Sequence, residues 1–228
     1  MNVRIWLTSV DNADPARARD SLSAEELERA ERMVSTDLRR RFLARRSMAR
    51  QLLARETGED PAGLVLERRC ERCGEPHPAS PLGGGDGGVW WSASSSDGLA
   101  AVAIAGCRVG LDIERQGERP LWERIARRFF SEDEHRAVAG SPSRFLELWT
   151  LKEAYLKALG LGLPGGLRSL ECTGLAPAPG GWSTSAAHPG WRFRSLEPEP
   201  GFAGALAVEG APDSIELRRW SADAGEAR

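Results

Sequence analysis

Apolar and polar positions change period several times along the chain, and the changes mark its elements. Residues 3–10 hold Ile5, Trp6 and Leu7 and predict a short strand. Ser23-Ala24-Glu25-Glu26 is a capping box that opens a helix to about Val34: the serine oxygen accepts from the third helical N–H and Glu26 reaches back. Asp37 is expected to cap a second helix from Leu38 to about Thr57. In it Leu38, Phe42, Met48, Ala49, Leu52 and Leu53 recur at three- and four-residue intervals, and Gly58 stops it. Residues 74–88 read as an irregular loop rich in Gly, Pro and Ser. Val89–Trp91 then reads as strand and Ser92 to Gly98 as a small-residue turn. Leu99–Ala105 and Val109–Ile113 form, on this pattern, a hairpin around Gly106-Cys107-Arg108. Ser131 and Glu134 make a second capping box. Ser141-Pro142 starts a helix marked by Phe145, Leu148, Trp149, Leu151, Ala154, Tyr155, Ala158 and Leu159 and ended at Gly160. Short strands are expected beyond it at Leu167–Cys172, Trp191–Leu196, Gly204–Val208 and Ser214–Trp220.

Helices and short strands occur in both halves, which predicts an α+β fold of two units, 1–108 and 109–228. A hydrophobic fraction of 41% with 28% charged residues is that of a globular protein. No apolar run approaches the ~20 residues of a membrane helix. The first residues carry too short an apolar stretch for a signal peptide, and four cysteines build no disulfide framework. The expectation is a soluble cytoplasmic protein.

Near-neutrality, a formal charge of −2, conceals two asymmetries. Residues 38–55 hold Arg39, Arg40, Arg41, Arg45, Arg46, Arg50 and Arg55 without one acid, so the second helix carries a cationic face. That face suits a phosphate, an acidic partner or plain solvent; the net charge and the lack of any nucleic-acid motif speak against nucleic acid. The other asymmetry concerns lysine. Of 31 basic residues only Lys152 and Lys157 are lysines, and they lie within six positions of each other.

Two segments carry candidate chemistry. In Gly110-Leu111-Asp112-Ile113-Glu114-Arg115 the carboxylates of Asp112 and Glu114 fall at i and i+2, on one face of a strand, with Leu111 and Ile113 on the other. Paired hard oxygens on a rigid strand are what Mg²⁺ takes, completed by water and substrate phosphate; the bland alternative is the solvent face of an edge strand. In Trp149-Thr150-Leu151-Lys152-Glu153-Ala154-Tyr155-Leu156-Lys157, Glu153 and Lys157 share a helix face at i and i+4, with Lys152 one step round. An ordinary surface ion pair accounts for that spacing too, but not for placing both lysines there. Together the segments make a phosphoryl-transfer site: Asp112, Glu114 and Glu153 on a metal, lysines on the phosphate or leaving group, and a carboxylate to take a proton.

These two segments, in this order and about forty residues apart, resemble the signature pair of the 4′-phosphopantetheinyl transferases, of the long monomeric, surfactin-synthetase-activating type. Arg127-Arg128-Phe129-Phe130-Ser131-Glu132-Asp133-Glu134 resembles the family's segment between the motifs. Arg41-Phe42-Leu43-Ala44-Arg45 is similar to its N-terminal helix, and Gly201 to Val208 to its closing strand. The resemblance implies a pseudo-two-fold pair of α/β halves, each a small antiparallel sheet with packed helices, with coenzyme A at their junction and Mg²⁺ on its pyrophosphate. It implies that a serine of an acyl, peptidyl or aryl carrier protein attacks the β-phosphate, takes phosphopantetheine and releases 3′,5′-ADP, as in fatty-acid synthesis or secondary metabolism. Matched by motif, Asp112, Glu114 and Glu153 fall on metal positions, Glu153 also on that of the base, and Lys152 and Lys157 on phosphate-contacting and catalytic positions.

The sequence departs from the family in the coenzyme A contacts. Members read Asn-Leu-Ser-His-Ser where this chain has Ser92-Ala93-Ser94-Ser95-Ser96, so Ser95 replaces the histidine of the 3′-phosphate. The Gly-Lys-Pro upstream is also missing, with Pro78-Ala79-Ser80-Pro81 near its place. Arg41, Arg45, Ser94 and Ser95 are the candidates to hold coenzyme A instead, with Arg46, Arg68, Arg69 and Arg72 in reserve. A homologue that binds a carrier protein or pantetheinyl group without transfer stays open, as does another acid/base reaction on a carrier-bound intermediate. Cys70-x2-Cys73-x3-His77 has the spacing of half a zinc site but no matching second pair.

Overall fold

The computed structural model describes residues 1–12, 15–69, 76–78, 81–82, 88–117, 121–161 and 166–221. Its first elements are β1 (Asn2–Ser9), α1 (Pro15–Ser21), α2 (Ala24–Arg32), α3 (Thr36–Thr57), β2 (Glu67–Arg69), β3 (Pro76–Pro78), β4 (Trp90–Ser96) and β5 (Leu99–Ala105). They are followed by β6 (Val109–Arg115), α4 (Trp122–Phe129), α5 (Glu132–Val138), α6 (Pro142–Ala158), β7 (Ala176–Ala178), β8 (Trp182–Thr184), β9 (Trp191–Leu196), β10 (Phe202–Glu209) and β11 (Ser214–Arg219). The fold is α+β, with a four-stranded and a five-stranded sheet rich in antiparallel pairs and a small two-stranded sheet of β2 and β3. Contacts divide the chain into Met1–Gly106 with Asp213–Arg228, and Cys107–Pro212. Residues from Asp213 onward, placed in the second half on the sequence, therefore group with the first unit. Among the described residues no helix is long and apolar enough to cross a membrane. Cys70 and Cys73, with the side chain of His77, lie outside the described residues.

In the first unit the sheet order is β11-β1-β5-β4. β11 runs parallel to β1, from Asn2 opposite Ser214 to Leu7 opposite Arg219, and the other pairs are antiparallel. β5, Leu-Ala-Ala-Val-Ala-Ile-Ala, is buried along its whole length, as a central strand covered on both faces must be. Met48, Ala49, Leu52 and Leu53 of α3 pack on Trp6, Trp91, Val102 and Ile104, which is the apolar stripe read from the sequence finding its sheet. Ser35, not Asp37, caps α3, its Oγ accepting from Leu38 N at 3.3 Å; Asp37 pairs instead with Arg41 one turn on. Gly58 ends the helix at φ 73°, the left-handed value that suits glycine.

The run Ser92–Ser96 is strand rather than turn. Ser92, Ser94 and Ser96 are buried in alternation and pair with Ala103, Ala101 and Leu99, so register with β5 overrides a turn-like composition. The turn shrinks to Asp97-Gly98, with Asp97 at φ 45°. The hairpin is consequently β4–β5, not the expected pairing of Leu99–Ala105 with Val109–Ile113. Both edges of β5 are taken, by β1 and β4, and β6 pairs with β10.

In the second unit the order is β6-β10-β9-β8-β7. α6 packs its Tyr155, Ala154 and Ala158 side against Trp191, Phe193, Ala205 and Ala207. Tyr155 meets Trp191 edge-on at 5.0 Å, and Phe130, Phe145, Trp122 and Trp149 form a ring cluster at α6's other end. Both predicted starts are present: Ser131 and Glu134 close a capping box, and Ser141 caps α6 with Pro142 in its first turn. Leu167–Cys172, expected as strand, contains a 3-10 turn at Leu167–Ser169 instead. Its carbonyls at Leu167 and Leu170 point at a buried ammonium rather than at a neighbouring strand.

Candidate active site

β6 and α6 bring the two motifs into contact through a glycine. A Cβ built on Gly110 would stand 1.8 Å from Ala154 O and 2.6 Å from Ala158 N, both backbone atoms of α6. Only a residue without a side chain allows that approach. Gly110, Asp112 and Glu114 alternate onto the same face of β6, so the acidic face is the one turned toward α6. The solvent-face alternative thereby falls: Asp112 is only 4% exposed. The glycine was in plain view in the sequence, and its two-residue spacing from Asp112 is the signal that identifies this face.

Lys157, on the last turn of α6, donates to Asp112 Oδ1 at 2.7 Å and to the Leu111 carbonyl at 3.1 Å. One turn earlier on the same face stands the half-buried Glu153, whose Oε1 is enclosed without a hydrogen-bond partner. Burial pushes the Glu153 carboxyl up from its ordinary 4.5 to about 7; the Asp112 charge adds to the rise, Lys157 offsets part of it, and Glu114 contributes a little more. The structure thus brings together Asp112, Glu153 and Lys157, with Glu114 within electrostatic reach. The arrangement is a carboxyl poised to exchange a proton near neutrality beside a fixed ammonium.

Lys152 is not part of it. Although adjacent to Glu153 in sequence, it points about 100° round the helix and is 1% exposed. Its ammonium pairs with Glu134 Oε1 at 2.7 Å and donates to Leu167 O at 2.8 Å and to Leu170 O. All three N–H bonds are used, so moving to a phosphate would strand buried acceptors at about 1–3 kcal/mol each. The structure therefore places Lys152 apart from the Asp112, Glu153 and Lys157 group. Glu134, which the sequence reading placed in the second capping box and in the segment between the motifs, is fully buried as the counter-charge. Neither partner's burial has a local sequence signature.

The other candidates lie in the first unit. The Arg41 guanidinium is engaged by Asp37 and, at 3.3 Å, by Asp97 in the β4–β5 turn. Arg45 is half-buried, and burial with Arg29 nearby lowers its guanidinium pKa. Ser94 is buried in β4 and Ser95 half-buried. Much of the cationic face is spent internally: Arg40 pairs with Asp11 at 2.6 Å, and Arg39 donates to Met33 O at 2.7 Å. Arg46 and Arg50 are buried around Glu26, at 3.0 and 2.5 Å, and Arg46 also meets Glu67.

The donor set fits a hard divalent cation. Among the described residues no three His, Cys, Asp or Glu side chains form a ready metal cage. Mg²⁺, however, is usually held by one or two carboxylates together with water and substrate phosphate. The enclosed Glu153 Oε1, beside the Asp112 carboxylate that adds to the rise of the Glu153 carboxyl, matches that demand.

The family model for the 4′-phosphopantetheinyl transferase superfamily matches residues 108–206, which span β6, α6 and most of β10. The chain is 30% identical over 217 residues to 4′-phosphopantetheinyl transferase HetI of Nostoc sp., covering 91% of this chain and 88% of that one. It is 40% identical over 80 residues to 4′-phosphopantetheinyl transferase gsp of Aneurinibacillus migulanus, covering 33% of each. It is also 30% identical over 149 residues to a 4′-phosphopantetheinyl transferase of Bacillus subtilis, covering 63% of this chain and 62% of that one. With the motif pair packed together as described and a relative matched along nearly its whole length, the chain belongs to the 4′-phosphopantetheinyl transferase superfamily and is an enzyme of the transferase class.

Proposed function

We propose that this enzyme acts as a cytoplasmic monomer, moving 4′-phosphopantetheine from coenzyme A to a serine hydroxyl of an acyl or peptidyl carrier protein in a Mg²⁺-dependent reaction. The observation that carries the reading is Glu153: a half-buried carboxyl held near pH 7 one turn from the Lys157–Asp112 pair. A group with that proton affinity is a base when ionised and returns the proton readily, which is the best compromise at neutral pH.

In this reading Glu153 takes the proton of the carrier serine as its oxygen bonds to the β-phosphorus of coenzyme A. The bond from that phosphorus to the bridging oxygen breaks, and the electron pair leaves on 3′,5′-ADP. Lys157, steered by Asp112 and the Leu111 carbonyl, offsets the charge gathering on the phosphate oxygens. Asp112, Glu114 and Glu153 would hold Mg²⁺, whose chemistry when bound is to neutralise a pyrophosphate.

Intact-mass spectrometry of apo carrier proteins incubated with the enzyme, coenzyme A and Mg²⁺ tests this. A phosphopantetheine adduct is expected, lost with EDTA and with Glu153→Gln. A folded enzyme that modifies none of a panel of acyl, peptidyl and aryl carriers refutes the assignment and leaves a homologue that binds without transferring.

A further inference from the structure

We propose that Lys152 is a positioning residue: with Glu134 it forms a buried ionic clamp that fixes the roll of α6, and so aims Glu153 at Asp112, without touching coenzyme A. The inference rests on the assignment of Glu153 as base. It departs from the role the motif alone implies for the first lysine.

The clamp joins three parts of the second unit. Glu134 accepts from Ser131 N at 3.0 Å, closing the capping box of α5, and from Cys172 N at 2.8 Å. Its Oε1 also takes the Lys152 ammonium at 2.7 Å, and that ammonium donates onward to the Leu167 and Leu170 carbonyls. The face of Phe130 lies 5.4 Å from the same nitrogen. The α5 cap, the 167–172 segment and α6 are therefore tied at one point, with both charges fully partnered, the condition under which a buried pair specifies geometry. Glu153 is the next residue along, with an enclosed oxygen that has no partner. No hydrogen bond holds that oxygen, and the neighbouring clamp fixes the turn of helix from which Glu153 projects. Close contact at Gly110 sets the distance between β6 and α6, and the clamp sets the rotation.

Arginine would not serve here. Its planar fork cannot fit a pocket with one carboxylate oxygen and two carbonyls arranged around a compact ammonium. That accounts for a lysine at a buried position of a chain that otherwise uses arginine.

Three variants separate positioning from phosphate contact: Lys152→Met, Glu134→Gln and the double substitution. Each single change leaves a buried charge unpaired. It is expected to lower the thermal midpoint and the transfer kcat at least tenfold, with KM for coenzyme A within about threefold of the parent. The double change removes both charges together and is expected to recover most of the lost kcat. A double variant that is folded by circular dichroism, yet has a tenfold or greater rise in KM for coenzyme A, or no more kcat than Lys152→Met, overturns the clamp. A second measurement needs neither variants nor activity. Only two lysines are present, so native-state amine acetylation mapped by peptide mass should modify Lys157, 27% exposed, and spare Lys152 until the protein is unfolded. Coenzyme A should protect Lys157 alone. Lys152 reacting as fast as Lys157, and becoming protected by coenzyme A, overturns the proposal even if the variants do not fold. If the parent enzyme modifies no carrier while Lys152 stays protected, the assigned reaction fails and the clamp stands as a structural finding.

Discussion

Replacing Glu153 by glutamine should make the protein more stable, and only above a certain pH. The Glu153 carboxyl sits near 7 in the folded protein against an ordinary 4.5. Each pH unit of displacement is about 1.4 kcal/mol, so the ionised group opposes folding by roughly 3.5 kcal/mol at most. Because the side chain is half-buried, solvent screening brings the expected value to roughly 2–3 kcal/mol. The sign follows from linkage. Below the unfolded value of 4.5 both states hold the proton, and the group makes no difference. Between 4.5 and about 7 the unfolded chain releases its proton while the folded protein keeps it, so stability falls as pH rises and levels off above. The Glu153→Gln variant carries no such charge at any pH. Urea unfolding of both proteins in EDTA, from pH 4 to 9, should show curves that converge at the acid end. At pH 8 the variant should lead by roughly 2–3 kcal/mol while having lost transfer activity. A constant offset at all pH values, or a parent that gains on the variant as pH rises, would refute the placement of Glu153 against Asp112.

Other perturbations reach different parts of the argument. Gly110→Ala drives a Cβ into the backbone of α6 and should cost at least about 1–3 kcal/mol and most of the activity, whereas Gly106→Ala, with open space around it, should be near neutral by thermal melting. Glu26→Ala removes the carboxylate shared by the buried Arg46 and Arg50, which keep Glu67 and backbone carbonyls as partners, and should cost about 3 kcal/mol; the same change at the exposed Asp133, paired with Arg136, should cost under about 1 kcal/mol in denaturant titration. Lys157→Met should lower kcat for transfer more than it raises the dissociation constant of coenzyme A measured by calorimetry, and a pure affinity loss would contradict its placement by Asp112.

Local patterns were legible where local chemistry decides. Both capping boxes, the proline start of α6 and the glycine stop of α3 depend on residues within one turn, and each is found in place. Asp37 failed as a cap because Ser35 offers an oxygen just as suitable and Arg41 offers Asp37 a better partner. The serines of β4 misled because composition describes a free segment, while the register with β5 determines what a pleated surface accepts. The expected β5–β6 hairpin failed for a related reason, since proximity in sequence does not determine which strand edges are already taken.

By itself the sequence determined the family and the type of each long helix, because those rest on short motifs whose spacing survives any context. Only the tertiary structure decided what the charges are for. Seven arginines in one helix look like a surface for phosphate, yet Arg46 and Arg50 are buried around Glu26 and Arg41 is held by two aspartates. Two lysines five residues apart look alike, yet one is enclosed by Glu134 and two carbonyls while the other faces Asp112 with part of its side chain exposed. The physical reason is that a charge acquires its role from the partners and the desolvation it meets, and both are supplied by residues tens of positions away.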